Sequence, residues 1–517
     1  MNREKMLQQL GVQKLWDFIV IGGGATGAGL AVEAASRGYQ VALLEQHDFA
    51  KGTSSRSTKL AHGGVRYLQQ GNIALVLEAL KERGILLKNA PHLVHDLAFI
   101  VPSYDWWQGP FYGIGLKLYD MLAGKAGFGH SRLLSEEETI EHLPNIEKKG
   151  LRGGVIYYDG QFDDARLVIN LLQTAVEQGA TVCNYTQVTG LLKQGDEVKG
   201  VLVQDSLNHE EFELRARVVI NATGPFSDSI CRMDVPRAPK MIQPSRGVHI
   251  VLDRSFLSGD SAIMVPHTDD GRVLFAIPWY DRTVVGTTDT PITRVDEEPQ
   301  ADEEEIEFLL KHAARYLTKD PKRKEIKSIF AGIRPLVSMG NEKNTAAISR
   351  EHVVHISASG LVTVAGGKWT TYRKMAQDTL DQAIVLADVD FHPSVSEHLN
   401  IHGFHEHAEQ FKELAMYGND APKIRELAEQ NEQLAATIIS YPKIIAAEVL
   451  WAIEHEMACT IEDFLARRRR LLFLDAMVAM QAAPGVARLM ARYLNKDQYW
   501  IENQIHQLNT LARNYLP

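Results

Sequence analysis

Residues 17–45 read DFIVIGGGATGAGLAVEAASRGYQVALLE, and the order of features in that stretch decides the architecture. The apolar run from Phe18 to Ile21 makes a short buried strand that stops at glycines. Ala25 to Ser36 is small and apolar, suited to a helix pressed on a sheet, and YQVALLE is a second strand ending on an acid. Gly22 permits a tight turn, Gly24 lets the backbone approach a pyrophosphate, and Gly27 lets helix and strand pack closely. The helix N-terminus offers unpaired N–H groups and a positive dipole to the anion. Glu45 follows Gly27 by eighteen residues, where its carboxylate can accept hydrogen bonds from a ribose. These features define an adenosine diphosphate site; they do not choose between FAD and a nicotinamide nucleotide.

Later segments return to the same unit. ARVVINATGPFSD, 216–228, is a buried strand running into Ala222 and Gly224, where small residues let the chain pass close to a cofactor. GATVCNYTQVTGLLKQGDEVKGVLVQD alternates as hairpin strands, Val188 among them, placed to pack on the adenine side. In SGLVTVAGGKWTTYRKMAQDTL a strand over 361–365 meets Gly366 and Gly367, and a helix begins near Trp369. Its N–H groups suit a second electron-rich atom, such as a flavin pyrimidine edge that gains negative charge on reduction.

The whole chain sets bounds on this reading. Its 517 residues favour two or three domains, and 45% apolar with 23% charged residues is ordinary globular composition. A net charge of -10 argues against a broad nucleic-acid surface. The three cysteines are scattered and form no CxxC pair, so neither a disulfide framework nor a cysteine metal centre is expected, and a reducing compartment fits. The N-terminal MNREKMLQQLGVQKLWDF has no leader-type apolar region, and no uncharged apolar run is long enough to span a bilayer.

The stretch SSRSTKLAHGGVRYL, 54–68, carries Arg56, Lys59, His62 and Arg66 beside two glycines. Buried charge needs a partner, so these groups await anions, counter-ions or solvent. Taken in order, GGGATGAG, TSSRSTKLAHGGVRYL, RGVH, FAGIRPL and GGKWTTYRKMA resemble the aerobic, FAD-dependent glycerol-3-phosphate dehydrogenase family over nearly the whole chain. The resemblance implies an α/β fold: a glutathione-reductase-like FAD-binding Rossmann-type domain, an antiparallel-sheet substrate domain over the flavin, and an all-helical C-terminal domain. It implies FAD, with Ser54, Ser55, Gly63 and Gly64 near it, and Gly366, Gly367, Lys368, Trp369 and Thr370 at its second glycine turn; no His or Cys of the first unit has a spacing that demands a flavin bond, so non-covalent binding is expected. Arg56, His62, Arg334, Lys368 and Thr370 are expected to contact substrate, Arg334 and Lys368 through its phosphate. His249 in QPSRGVHIVLD is the candidate proton acceptor; Arg334 polarising the alkoxide is the other route, and Lys368 completes the catalytic set. Tyr67, Thr371, Thr288 and Asp289 are further candidates on the active-site side.

The nucleotide-binding parts are expected at about 15–90, 150–230 and 350–385, and the substrate part at 91–149 and 235–349. After residue 395 the pattern turns helical, giving a C-terminal domain at 396–517. Within it, TIEDFLARRRRLLFLDAMVAM reads as one helix whose arginines 467–470 are solvated or paired between domains. HGFHEH, 402–407, only superficially resembles ligand spacing, and no metal is expected. The aromatic DWWQGPFYGIGLKLYDMLAG, 105–124, suits a monotopic membrane contact near a quinone path, with core packing as its rival. By resemblance the partners are sn-glycerol 3-phosphate and a membrane quinone, the location is cytoplasmic on the inner face of the cell membrane, and a homodimer is compatible with both. Alternatives are an oxidase that uses O2, an amino-acid or amine oxidase on the same scaffold, and a non-catalytic flavin-bound sensor.

Overall fold

A computed structural model describes residues 1–63, 72–105, 108–123, 129–265, 268–269, 271–337 and 351–517, with backbone alone at 108–112, 114 and 123. At its centre the strand Trp16–Ile21 lies parallel to Val41–Leu44 on one side and to Glu211–Asn221 on the other. Thr181–Cys183 extends the sheet beyond Val41–Leu44, and Val362–Gly366 extends it beyond Glu211–Asn221. Side chains alternate across a strand, so Phe18 and Val20 face one way, Ile19 and Ile21 the other. The first pair packs with Ala28, Ala31, Leu171 and Ala376 of three covering helices, Ala25–Ser36, Asp164–Glu177 and Tyr372–Ala387. The second pair packs under the hairpin Thr186–Gln194/Glu197–Asp205 through Val188, Val201 and Val203. Both faces are therefore covered, as a parallel sheet requires. The strand order reverses at Trp16–Ile21, and the crevice outside the carboxyl ends at such a switch point is where open sheets bind ligands.

A second sheet of ten strands is antiparallel except where Ala262–Val265 runs parallel to Val94–Ser103. Its strand Ile242–Asp253 pairs with Arg282–Gly286 on one side and Ser328–Val337 on the other. That register sets His249 opposite Gly286 and Phe330, and Ser245 opposite Arg334. Leu274–Trp279 and Arg282–Gly286 form an antiparallel hairpin of this sheet.

The C-terminal residues are mainly helical, but not wholly: Thr437–Ser440 and Lys443–Ile445 form a hairpin, in keeping with their β-branched Thr and Ile. The single helix expected across 460–480 is also broken. A π-helical turn Asp463–Arg468 ends at Arg470 with φ 58, and a new helix Ala476–Tyr493 starts where the Asp475 side chain accepts from the Val478 N–H. The helical region shares its cores with both sheets. Tyr417 and Trp451 join the cluster of Phe18, while Phe464, Phe473 and Tyr515 join that of Phe99, Val251 and Phe330.

Candidate active site

A cleft of about 320 Å3 follows the carboxyl ends of the parallel strands. Gly22, Gly24, Glu45 and Ser54 line one part, Ala222, Gly224 and Val188 another, and Gly366, Gly367, Lys368 and Trp369 its far end. Two glycines here have no substitute. Gly22 sits at φ 110, and a Cβ would lie 2.7 Å from the Ala222 carbonyl oxygen; at Gly27 a Cβ would fall 1.8 Å from the Gly22 carbonyl oxygen. Gly27 thus acts by packing, behind the cleft. The Ser54 hydroxyl accepts from the Ala25 N–H at 2.8 Å, and the Trp369 indole donates to the Ser54 carbonyl at 3.0 Å, so Ser54 ties the two glycine turns together. Glu45 accepts from the Gly23 N–H at 2.7 Å and the His47 N–H at 2.9 Å. Burial raises its pKa against those two bonds. A cleft with a helix N-terminus at one end and a second glycine turn at the other fits FAD.

Ser55 lies behind this cleft, where its carbonyl accepts from Lys59 and Arg470. Gly63 donates its N–H to the Tyr119 hydroxyl at 2.9 Å. Gly64, Arg66 and Tyr67 lie outside the described residues.

A second cavity of about 200 Å3 opens from the first, sharing Thr53, Pro335, Gly366, Gly367, Lys368 and Trp369. Arg56, His62, His249, Arg334 and Thr370 line it. His249 is 2% exposed, stacks on Phe330 with centroids 4.7 Å apart, and places Nε2 2.9 Å from the Thr58 hydroxyl. Burial, then the charges of Lys59 and Arg334, hold its pKa well below the ordinary imidazole value. The imidazole is therefore in its neutral form, the one with a ring nitrogen open to a proton. The Arg334 guanidinium donates to Asp289 Oδ1 at 3.2 Å, Thr287 Oγ1 at 3.2 Å and the Thr288 carbonyl at 3.1 Å. Asp289 and the Thr288 carbonyl therefore orient an arginine, while the Thr288 hydroxyl donates to Glu305 at 2.8 Å. Thr370 accepts from the His62 N–H at 3.2 Å. Arg56 reaches the cavity wall with its head already bound to Glu298 at 2.6 Å. Two guanidinium groups, an ammonium and a neutral imidazole around a small cavity suit a compact anion that bears an ionisable hydroxyl.

Thr58, Phe330 and Glu298 had no signal of their own in the sequence. Arginines 467–470, expected to be solvated or paired between domains, are 3%, 0%, 7% and 0% exposed and take the paired alternative. Arg468 donates to Asp48 at 2.6 Å and Arg467 to Glu462 at 2.8 Å, while Arg469 pairs with Glu448 at 2.8 Å and Arg470 with Asp164 at 3.0 Å. His402 of the histidine-rich segment bridges Glu177 at 2.5 Å and Asp420 at 2.6 Å.

Residues 17–373 match the family described as FAD dependent oxidoreductase, and residues 360–500 match the C-terminal domain of alpha-glycerophosphate oxidase. The whole chain is 42% identical to the mitochondrial glycerol-3-phosphate dehydrogenase of Homo sapiens, an alignment covering 75% of that protein. The chain belongs to the FAD-dependent glycerol-3-phosphate dehydrogenase family. The Schizosaccharomyces pombe member is 37% identical over all of this chain and 89% of its own. The solved Bacillus halodurans glycerol-3-phosphate dehydrogenase, complexed with FAD, superposes with TM-score 0.81 at 29% identity, covering 99% of this chain and 97% of that one. The L-alpha-glycerophosphate oxidase of Mycoplasma pneumoniae shares the fold, with TM-score 0.58 at 18% identity over 74% of this chain and 97% of its own. Family membership, the cleft and the FAD-bound relative agree that this is an FAD enzyme with the Rossmann-type, antiparallel-sheet and helical parts expected.

Proposed function

We propose that the protein oxidises sn-glycerol 3-phosphate at C2 to dihydroxyacetone phosphate and passes the electrons to a membrane quinone. One observation carries the reading: His249, Arg334 and Lys368 converge on a cavity that opens directly into the FAD cleft. When bound, FAD supplies the acceptor for the hydride. Arg334, oriented by Asp289 and Thr287, grips the phosphate, and Lys368 adds a second cation at the turn between the two cavities. His249 takes the C2 hydroxyl proton at Nε2 by way of the Thr58 hydroxyl 2.9 Å away, which passes its own proton to the imidazole as it receives the substrate's. Arg56 and His62 wall the substrate space, and Thr370 fixes the His62 backbone.

Electron delivery to a quinone calls for contact with a bilayer. In the helix Gln108–Ala123, Leu116 and Tyr119 are buried while Leu118 and Met121 are 43% and 77% exposed. Leu133, 57% exposed, lies against Gly113 of the same helix. Among the described residues no helix is long and apolar enough to cross a membrane. This helix is therefore proposed to lie on the surface of a bilayer, on the cytoplasmic face; Trp106 and Trp107 lie outside the described residues. The boundary near residue 395 is proposed as the start of a helical domain that docks on both sheets.

Anaerobic mixing with glycerol 3-phosphate tests the substrate: the yellow flavin bleaches, and bleaching by proline or glycine instead would overturn the reading. Reoxidation faster with a quinone analogue than with air-saturated buffer supports the acceptor, and the reverse order favours an oxidase.

A further inference from the structure

Asp164 opens the helix Asp164–Glu177 and lies fully buried beneath residues 55–59. Its Oδ2 accepts from the Ser57 N–H at 3.1 Å, the Ser57 hydroxyl at 2.7 Å and Lys59 Nζ at 2.7 Å, while its Oδ1 accepts from Arg470 Nη2 at 3.0 Å. Lys59 Nζ and Arg470 Nη2 both donate to the Ser55 carbonyl as well, each at 2.7 Å. Two cations, one carboxylate and one carbonyl thus close over a single turn of chain. Lys59 adopts the left-handed φ of 64 within it, a conformation that side-chain-bearing residues seldom take unless their surroundings enforce it. Thr58, inside the clamped turn, is the residue that meets His249.

The same lysine reaches the imidazole through space. Its Nζ lies 5.0 Å from the Phe330 ring centre, and Phe330 stacks on His249 at 4.7 Å, which together place the ammonium within about 10 Å of the imidazole. Burial lowers the Lys59 pKa to about 7, Asp164 pulling the other way, so Lys59 is charged throughout the acid range in which His249 titrates. The charged groups facing His249 are Lys59 and Arg334; Asp289 balances Arg334, Asp164 balances Lys59, and Asp163 and Asp164 balance Arg470.

We propose that Lys59, clamped by Asp164 and by Arg470 of the helical region, is a positioning residue for the oxidation: it holds Thr58 against His249 and sets the electrostatic field at that imidazole. The inference rests on His249 being the proton acceptor.

The test is the pH profile of anaerobic flavin reduction by glycerol 3-phosphate in the holoenzyme. The neutral imidazole is the active form, so the rate falls on the acid side as His249 protonates. Removing a neighbouring cation makes protonation easier, and Lys59→Met should move that acid limb upward by about one pH unit, from a charge within about 10 Å at an effective dielectric near 20. Flavin content should stay that of the parent enzyme. A limb that does not move overturns the proposal. If Lys59→Met cannot hold FAD, Thr58→Val decides: reduction at the plateau should slow about tenfold or more with the half-saturating substrate concentration unchanged, and an unchanged rate overturns the proposal. His249→Asn separates the two readings. If it alone is inactive, the clamp is refuted and the proton acceptor stands; if it reduces flavin at the parent rate, both fall.

Discussion

Replacing Arg334 by lysine keeps one positive charge and removes a fork. The guanidinium is aimed by three acceptors, Asp289, Thr287 and the Thr288 carbonyl, at 3.1 to 3.2 Å. A lysine head has one nitrogen to share between that frame and a phosphate, so at least one charge-assisted hydrogen bond to the phosphate is lost. Such a bond contributes about 1.5–3 kcal/mol, which predicts a fall in kcat/KM of about 10- to 150-fold for Arg334→Lys; Arg334→Ala should cost more. Stopped-flow flavin reduction under anaerobic conditions, with glycerol 3-phosphate and with plain glycerol, reads the effect. Rate and saturation should both suffer with the phosphorylated substrate, while the slow reaction with glycerol changes little. Equal losses with both substrates and full FAD would place Arg334 in the oxidation step itself, and no loss with either would refute the phosphate assignment.

Glu45→Ala strips the acceptor from the Gly23 and His47 N–H groups, so FAD should dissociate at least about tenfold more readily; titration of flavin fluorescence reads the constant, and an unchanged value removes the assignment. Gly27→Ala drives a Cβ to 1.8 Å from the Gly22 carbonyl oxygen and should yield protein without flavin, a result contradicted by a preparation with the parent ratio of visible to ultraviolet absorbance. Burial alone would lower the His402 pKa, but Asp420 and Glu177 outweigh it and raise the group to about 9. Its folded pKa exceeds the unfolded value of about 6.5, so this contribution to stability is complete below about pH 6.5 and is lost as pH rises through about 9. Thermal melts between pH 6 and 10 should show that decline in the parent chain and a flatter profile in His402→Asn; parallel profiles would exclude the linkage.

The nucleotide unit was legible because its requirements are local. A turn that only glycine can make, a helix of small residues and strands of alternating faces all leave their mark within thirty residues, and Gly22 and Gly27 stand where that logic puts them. His249, Arg334 and Lys368 are different: isolated in sequence, they were picked out by resemblance to a family, and the antiparallel register of Ile242–Asp253 with Ser328–Val337 is what brings the first two into one cavity. For arginines 467–470 the sequence leaves solvent and inter-domain pairing both open, because a run of charge looks the same on a surface as in a junction. Most of their partners, among them Asp48, Asp164 and Glu448, come from distant parts of the chain; Glu462 and Asp463, which pair with Arg467, are the near ones. The break at Arg470 has no glycine or proline to announce it; Asp164 and the Ser55 carbonyl hold it, and both belong to tertiary structure.

The interleaved sheet also governs how the protein can be made. Trp16–Ile21 needs Glu211–Asn221 on one flank, and that strand in turn needs Val362–Gly366. A chain emerging from the ribosome therefore carries the first glycine turn for hundreds of residues before the cleft has its second wall. The turn at residues 55–59 waits longer still, until Arg470 is released. Cofactor capture belongs to the last stage of biosynthesis, and a nascent chain stalled ahead of residue 467 would expose Asp48 and Asp164 without their arginines, a natural substrate for chaperones and proteases.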